Sequence, residues 1–200
     1  MISRKLPKLS VAHHGDTAWT EINQHTGRTD LPLDSRGEDD ARRLGERLRG
    51  RTFAHVFISP LVRVRLTCAL AGFEAAAVVD PDLIEWGCGP WEGKRDADIR
   101  AAHPAWELFR DGYPGGESPA DVAARAGRFI TRVQDFGDDV LAFSSSGMIR
   151  MIAARWVGLP PTGGRIFVCR PASVGVLGFE DDRCEAPVVC LWNCLGELRE

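Results

Sequence analysis

Side chains that can act as nucleophiles, proton carriers or anion ligands stand where apolar runs give way to helical patterns. His13 and His14 end the first run, Arg63 follows the second, and Ser146 and Gly147 open the turn after a later one. An imidazole can attack an electrophile or carry a proton, and a guanidinium binds anions. Because ligands of open parallel α/β sheets bind beyond the carboxyl ends of the strands, these junctions form the candidate site.

The elements that must position these residues alternate between short apolar runs and helical patterns, which predicts an α/β fold with a largely parallel sheet. Residues Arg36–Arg49 place apolar positions on one face and acidic residues in the first turn, as is typical of a surface helix. Ser118, followed by Pro119 and Asp121, predicts a capped helix start, and a short helix is expected near Asp96–His103. The strand-like runs are Leu9–His13, Ala54–Ser59, Ala76–Asp80, Asp139–Phe143, Ile166–Cys169, Val174–Phe179 and Val188–Trp192.

One segment, residues 83–116, has poor periodicity and is rich in Trp, Gly and Pro. Such an insertion suits a lid or a pocket wall over the sheet. No internal repeat, low-complexity tract or linker divides the 200 residues, so we expect one domain spanning residues 1–200.

Composition limits the classes of partner. With 44% hydrophobic residues the chain can bury a substantial core, and its net charge of −3 comes without a basic stripe. This pattern disfavours nucleic acid and anionic membrane surfaces as partners and favours a small molecule. The start has no apolar core of a signal peptide and no membrane-length apolar run follows, so we expect a cytoplasmic protein. The oligomeric state is left open, with a homodimer among the options.

The cysteines do not form a paired C-x-x-C spacing, and a chain of this length does not need disulfides. We expect free, buried thiols, and the spacing of Cys190 and Cys194 is only a weak metal signal. The six are Cys68, Cys88, Cys169, Cys184, Cys190 and Cys194.

Four separated motifs, in order along nearly the whole chain, resemble those of the histidine phosphatase (phosphoglycerate-mutase-like) superfamily. The family signature Arg-His-Gly stands here as His13-His14-Gly15, followed at residues 26–33 by Thr-Gly-Arg-Thr-Asp-Leu-Pro-Leu. Ser59-Pro60-Leu61 with Arg63 resembles the second phosphate-binding segment. Residues 83–93, which include Glu85, resemble the segment of the acid/base glutamate, and residues 115–118 resemble the substrate-side loop.

This resemblance implies a three-layer α/β sandwich of the phosphoglycerate-mutase type, without a cofactor or metal, acting on a small anionic substrate. His14 would be the nucleophile that takes the phosphoryl group, and Glu85 would protonate the leaving alkoxide. Cationic donors must offset the charge on the phosphoryl oxygens. The residues expected to bind substrate are His13, Thr26, Gly27, Arg63, Ser146 and Gly147.

Two positions depart from the family pattern. His13 stands where the family has its first arginine, and Ser146 stands where it has its second histidine. The loss of one preorganised donor costs about 3–4 kcal/mol in well-studied sites, so two losses would slow the reaction roughly 10⁴-fold if they were additive. We therefore expect ordinary phosphatase activity to be weak or lost. A further departure, Gly87-Cys88, changes the wall beside Glu85.

Three functions compete. The first is a repurposed enzyme that acts on a small anionic metabolite through His14 and Glu85, by acid–base chemistry or by slow phosphoryl transfer. The second is a working phosphomonoesterase in which His13 and Ser146 still bind phosphate. The third is a non-catalytic binding domain that descends from a phosphatase.

Two less favoured interpretations concern the same residues. Ser146 would become a nucleophile with His14 as its base, although the nucleophile-elbow spacing is absent. Alternatively His13, His14 and Cys88 would bind zinc. Because neighbouring side chains alternate along a strand, His13 and His14 are expected on opposite faces unless the backbone turns there.

Overall fold

The computed structural model describes residues 6–180 and 186–197. Its centre is a six-stranded sheet in the order β3-β2-β4-β1-β5-β6. The first four strands of this order run parallel, whereas β5 runs antiparallel to both β1 and β6. The bounds are β1 Leu9–His13, β2 His55–Ile58, β3 Ala77–Val79, β4 Val140–Ser144, β5 Val174–Phe179 and β6 Pro187–Cys194. The predicted α/β fold with a mostly parallel sheet is confirmed.

In the described part of the chain, six α-helices connect and cover the strands. Asp34 caps α1 by accepting a hydrogen bond from the Gly37 N–H, and Ser118 and Asp121 form a capping box at the start of α5. Both helices were expected from the sequence. The bounds are α1 Ser35–Leu48, α2 Val62–Leu70, α3 Asp96–Ala102, α4 Leu108–Asp111, α5 Pro119–Phe136 and α6 Ser146–Trp156.

Apolar side chains from the two faces of the sheet form two separate cores, because successive side chains of a strand point to opposite faces. In β1, Val11 packs in the core beside α5 and α6, whereas Ala12 packs in the core beside α1 and α2. The helices thus lie on both faces, as the three-layer expectation requires, and the strand ends carry the loops that form the site.

The prediction of a strand at Ile166–Cys169 is wrong. Residues 161–166 form a 3₁₀ helix that leads into an irregular connection to β5. The side chains of Ile166 and Val168 are mostly exposed, and two carbonyls of this connection accept hydrogen bonds from side chains. Trp192 Nε1 donates to the Val168 carbonyl at 2.6 Å, and Ser146 Oγ donates to the Cys169 carbonyl at 3.4 Å. An apolar run was therefore mistaken for a buried strand.

The five cysteines in the described part of the chain are free. Cys68 and Cys88 are buried as expected, but Cys190 is exposed; Cys184 lies outside the described residues. Within residues 6–180 and 186–197, no helix has the length and apolar character needed to cross a bilayer.

Candidate active site

A cavity of about 200 Å³ opens beyond the carboxyl ends of β1 and β4 and brings together the residues singled out from the sequence. Its wall contains every expected site residue, namely His13, His14, Thr26, Gly27, Arg63, Glu85, Ser146 and Gly147. The segment 83–116 contributes further wall residues, among them Trp86, Cys88, Leu108 and Tyr113.

His14 is held with one ring nitrogen facing Arg63. Its Nδ1 lies 2.7 Å from the Gly15 carbonyl oxygen, and its Nε2 lies 3.1 Å from Arg63 Nε. The tautomer with the proton on Nδ1 satisfies both contacts, because Nδ1–H donates to the carbonyl and Nε2 accepts from the guanidinium. Burial is the main cause that lowers the pKa of His14 well below its usual value, and electrostatic repulsion from the neighbouring His13 and Arg63 groups disfavours a second proton on the ring further. His14 is therefore a neutral imidazole with its lone pair on Nε2, the form that a nucleophile needs.

Arg63 is fixed in the first turn of α2. Its Nη1 donates to the Thr29 carbonyl at 2.9 Å and its Nη2 to the Gly27 carbonyl at 2.8 Å. With the bond to His14, three of the five guanidinium N–H groups are used, which leaves two for an anion. Gly27 has φ +54°, and a Cβ there would lie 2.5 Å from Glu92 Oε1, so this turn requires glycine.

Glu85 lies at the N-terminus of α6 and acts as its cap. Oε1 accepts from the Met148 N–H at 3.1 Å and Oε2 from the Gly147 N–H at 2.9 Å. A further bond joins Oε1 to the N–H of Trp86. A Cβ on Gly147 would lie 2.6 Å from Glu85 Oε1, so glycine is needed for this close approach. The carboxylate thus uses its oxygens as acceptors and satisfies helix N–H groups that have no partner within the helix.

The register of β1 and β4 shows which serine is the neighbour of His14. His13 is paired with Ser144, the last residue of β4, and the His14 N–H donates to the Ser144 carbonyl, so Ser145, the residue that follows β4, lies beside His14. Ser145 is buried, and its Oγ has no hydrogen-bond partner among the described residues. Ser146 begins α6 and lines the pocket. The motif resemblance named Ser146 and not Ser145 at this position, because the residue opposite His14 is identified only by the pairing of β1 with β4.

His13 and His14 lie on the same side of the sheet end, contrary to the expectation from strand alternation. Their rings meet edge to face with centroids 4.4 Å apart, and both line the pocket. The reason is that β1 ends at His13, so the chain turns before alternation applies to His14. Burial lowers the pKa of His13 to about 4, against the opposing effect of a bond to the Arg170 carbonyl. His13 therefore adds no positive charge near neutral pH.

Arg150 is a pocket residue that sequence reasoning missed. It follows Ser146 by four residues on α6, so the two share a helix face, and this spacing was the available signal. Its guanidinium carbon lies 4.4 Å from the centroid of the Phe109 ring, and its Nε donates to the Gly164 carbonyl at 3.1 Å. No carboxylate pairs with it in the part of the chain that the structure describes. Arg150 is a second cation available to an anionic ligand.

Neither of the two less favoured interpretations is supported by this geometry. The Ser146 hydroxyl donates to the Cys169 carbonyl, while His14 Nε2 accepts from Arg63, so a serine–histidine pair is not formed. Among the described residues, no group of three or more His, Cys, Asp or Glu side chains could hold a metal ion, which argues against zinc at His13, His14 and Cys88.

Comparison with known proteins identifies the family of the chain. A family model of the histidine phosphatase superfamily (branch 1) matches residues 9–193. The chain belongs to this superfamily. An acid phosphatase of Mycobacterium tuberculosis is 34% identical over 177 residues, which cover 86% of this histidine phosphatase homologue and 87% of that protein. Sedoheptulose 1,7-bisphosphatase of Saccharomyces cerevisiae is 31% identical, with 76% and 68% covered.

The fold also resembles that of a solved structure. The solved structure of an open reading frame product of Mycobacterium tuberculosis superposes on this histidine phosphatase homologue with a TM-score of 0.88 and 32% identity. The match covers 94% of this chain and 97% of the other.

Proposed function

We propose that this chain is an enzyme that transfers the phosphoryl group of a small anionic metabolite to His14, at a rate below that of ordinary members of its superfamily. The observation that carries the proposal is the state of His14. Its ring is buried and neutral, its Nδ1 is tied to the Gly15 carbonyl, and its Nε2 meets Arg63. This arrangement supports an in-line attack on phosphorus by Nε2.

The charge of the pocket supports an anionic substrate. Arg63 has two guanidinium N–H groups to spare, and Arg150 lies in the same wall without a carboxylate partner among the described residues. Two such cations favour a substrate that carries a phosphate, or a phosphate and a second anionic group. The yeast relative is named for a bisphosphate substrate.

The slow rate follows from the residues that differ. His13 is neutral where the family has an arginine, and Ser145 and Ser146 offer hydroxyls where the family has a histidine. Fewer charge-assisted donors then meet the phosphoryl oxygens in the transition state. A working phosphomonoesterase would require those hydroxyls and His13 to replace the missing donors, and a binding domain would require that His14 never reacts. The assignment of proton transfer to Glu85 stays a prediction.

The decisive experiment measures turnover and the covalent intermediate together. The protein is incubated with 4-nitrophenyl phosphate and with a panel of sugar phosphates and phosphorylated acids, then denatured, and its mass and product release are recorded. We expect slow turnover and an acid-labile phosphoryl group on His14. His14→Ala should abolish both, while His103→Ala, at an exposed histidine outside the pocket, should retain both.

Other outcomes separate the three functions. A turnover typical of efficient phosphatases would favour the working phosphomonoesterase. Tight binding of phosphorylated ligands, with neither turnover nor a phosphorylated protein, would favour the binding domain and overturn the proposal. Equal activity of the folded His14→Ala variant and the parent would show that His14 is not the nucleophile.

A further inference from the structure

One carboxylate, that of Glu117, is bonded to segments on both sides of the pocket. Glu117 precedes Ser118, the N-cap residue of α5, and only 17% of its side chain is exposed. Its Oε1 accepts from Arg125 Nε at 3.1 Å, and its Oε2 accepts from Arg125 Nη2 at 3.0 Å. This two-bond pairing of guanidinium and carboxylate holds both side chains in one geometry.

On one side, the ion pair holds the backbone around Glu85. The Gly87 N–H donates to Glu117 Oε2 at 2.8 Å, and the Gly87 carbonyl accepts from the Glu117 N–H at 2.8 Å. Arg125 Nη1 donates to the Ile84 carbonyl at 2.8 Å. The backbone on both sides of Glu85 is therefore bonded to the same ion pair.

Arg125 makes two further contacts in this region. Its Nη1 also donates to the Asp82 carbonyl at 2.8 Å and lies 3.6 Å from Met148 Sδ. Met148 belongs to α6, and its N–H donates to Glu85. Arg125 thus contacts both the segment that carries Glu85 and the helix that Glu85 caps.

On the other side, Arg28 joins Glu117 to the loop that holds Arg63. Arg28 Nη2 lies 3.0 Å from Glu117 Oε1. The carbonyls of Gly27 and Thr29, which flank Arg28 in the chain, accept hydrogen bonds from Arg63. The same carboxylate is therefore connected to the predicted proton donor and to the loop that orients the phosphate-binding guanidinium.

A second contact joins this loop to residues 83–116 without the Arg28 side chain. Glu92 Oε1 accepts from the Arg28 backbone N–H at 2.9 Å, and Glu92 Oε2 accepts from the Thr29 hydroxyl. Because both bonds are independent of the guanidinium, replacing the Arg28 side chain breaks the link to Glu117 and leaves these bonds in place.

We propose that Glu117 is a positioning residue for both sides of the reaction. With Arg125 it fixes the backbone of Glu85, and through Arg28 it fixes the loop that holds Arg63. The proposal rests on the phosphoryl transfer to His14 proposed above and on the predicted role of Glu85 as the acid. A misplacement of about 1 Å in a catalytic group can cost about 10²-fold in rate, so groups on separate loops need a common support.

The first test compares two phosphate esters, because proton donation matters most where the leaving oxygen is basic. The quantity compared is kcat/KM, which reports the steps up to transfer of the phosphoryl group to His14 and not the later hydrolysis. Glu117→Gln keeps the size of the side chain and removes its charge. We expect kcat/KM to fall at least about 10-fold further on glycerol 3-phosphate than on 4-nitrophenyl phosphate.

A double variant shows whether this difference passes through Glu85. Glu85→Gln alone should show a larger difference between the two esters, and adding Glu117→Gln to it should not increase that difference. Arg125→Lys keeps a positive charge but cannot bond to Glu117 and to the Ile84 carbonyl as the guanidinium does. It should show the Glu117→Gln pattern in weaker form, and it decides the matter if Glu117→Gln does not fold.

Arg28→Met tests the other side of the pocket. The dissociation constant for inorganic phosphate, measured by titration calorimetry, should rise by about 3- to 5-fold, because the loop that holds Arg63 loses one support. Both esters should lose the same factor in kcat/KM. The matched control is Arg42→Met, which removes a similarly exposed arginine from ion pairs on α1 and should change neither quantity.

The remaining outcomes contradict the proposal. Equal losses on both esters in folded Glu117→Gln would overturn it and leave the proposed function intact. An additional loss from Glu117→Gln in the Glu85→Gln background, or an unchanged phosphate affinity in Arg28→Met, would do the same. If the parent turned over neither ester, the proposed function itself would fail, and the role of Glu117 with it.

Discussion

At the scale of the residue, the pocket combines the proposed nucleophile, His14, with fewer positive charges than the family pattern has. His14 and Arg63 are joined at 3.1 Å, and Arg63 is positioned by two loop carbonyls. His13 is neutral near pH 7 because burial lowers its pKa to about 4. An arginine at that position would stay charged and offer a planar fork to two phosphate oxygens.

Restoring the missing donors should restore phosphoryl transfer. The double change His13→Arg and Ser145→His should raise the hydrolysis of 4-nitrophenyl phosphate by at least about 10²-fold, because two charge-assisted donors then meet the transition state. The second variant pairs His13→Arg with Ser146→His, the position first suggested by the sequence. We expect it to gain less, since Ser145 is the residue beside His14 in the β1–β4 register. Steady-state rates of parent, single and double variants at one pH measure the effect.

Circular dichroism must show that the variants are folded before their rates are compared, because Ser145 is buried. A folded double variant that binds phosphate but is no faster than the parent would contradict our explanation of the proposed slow rate. A larger gain from Ser146→His than from Ser145→His would show that the strand register does not decide this position.

The sequence predicted residues that line one pocket because strand ends and helix starts are visible as patterns. His14 and Arg63 follow apolar runs, and both line the pocket. It could not place Ser145, which depends on how β1 pairs with β4, nor Arg150, which depends on the phase of α6 against the pocket. Likewise His25 is within hydrogen-bond distance of Asp96 and Tyr113, which lie 71 and 88 positions away, and no local pattern encodes such contacts.

At the scale of the element, α6 is unusual because its cap comes from a distant residue. Its N-cap residue, Ser145, makes no capping bond with its side chain, and Glu85 receives the first N–H groups. By contrast, α5 begins with a local capping box at Ser118 that the sequence alone indicated. The segment 83–116 is thus bonded to α6 by a contact that a local motif does not reveal.

Removing this cap should destabilise the fold more than removing an ordinary one. Glu85→Ala leaves the N–H groups of Gly147 and Met148 without their acceptor, and we expect a loss of about 2 kcal/mol in the free energy of unfolding. Glu85→Gln keeps one acceptor oxygen and should lose about half as much. Urea unfolding, with the slope compared between variants, measures both losses.

The matched control is Ser118→Ala, which removes the local cap of α5 at an expected cost of about 1 kcal/mol. If Glu85→Ala were as stable as the parent while Ser118→Ala was not, the Glu85 bonds would not hold α6.

The strand predicted at Ile166–Cys169 fails for a related reason. Its carbonyls are bonded by Trp192 and Ser146 from elsewhere in the chain, which apolar periodicity cannot reveal.

At the scale of the whole molecule, the pocket lies where the two cores meet the sheet end, so its neutral histidines are part of the folded interior. His13 and His14 are both almost fully buried. In the unfolded chain each would titrate near its usual value of 6.5, whereas in the folded chain burial lowers the pKa of His13 to about 4 and that of His14 well below 6.5. Folding is therefore linked to the protonation of these two rings.

The sign of this linkage predicts a loss of stability in mild acid. Between about pH 6.5 and pH 4 the unfolded chain binds protons that the folded chain does not, so the free energy of unfolding falls as the pH falls. At about pH 5, His13 alone accounts for a loss of about 2 kcal/mol relative to neutral pH. For a chain of this length this corresponds to a decrease in Tm of about 4–8 °C. His13→Asn cannot take up the proton, so its Tm should decrease by less over the same range, the residual decrease coming from His14 and other titrating groups. Thermal unfolding of the parent and the variant at neutral pH and at about pH 5 gives the decrease in Tm for each protein, and the difference between the two decreases is the contribution of His13. An equal decrease in both proteins would show that His13 is not held neutral by the fold.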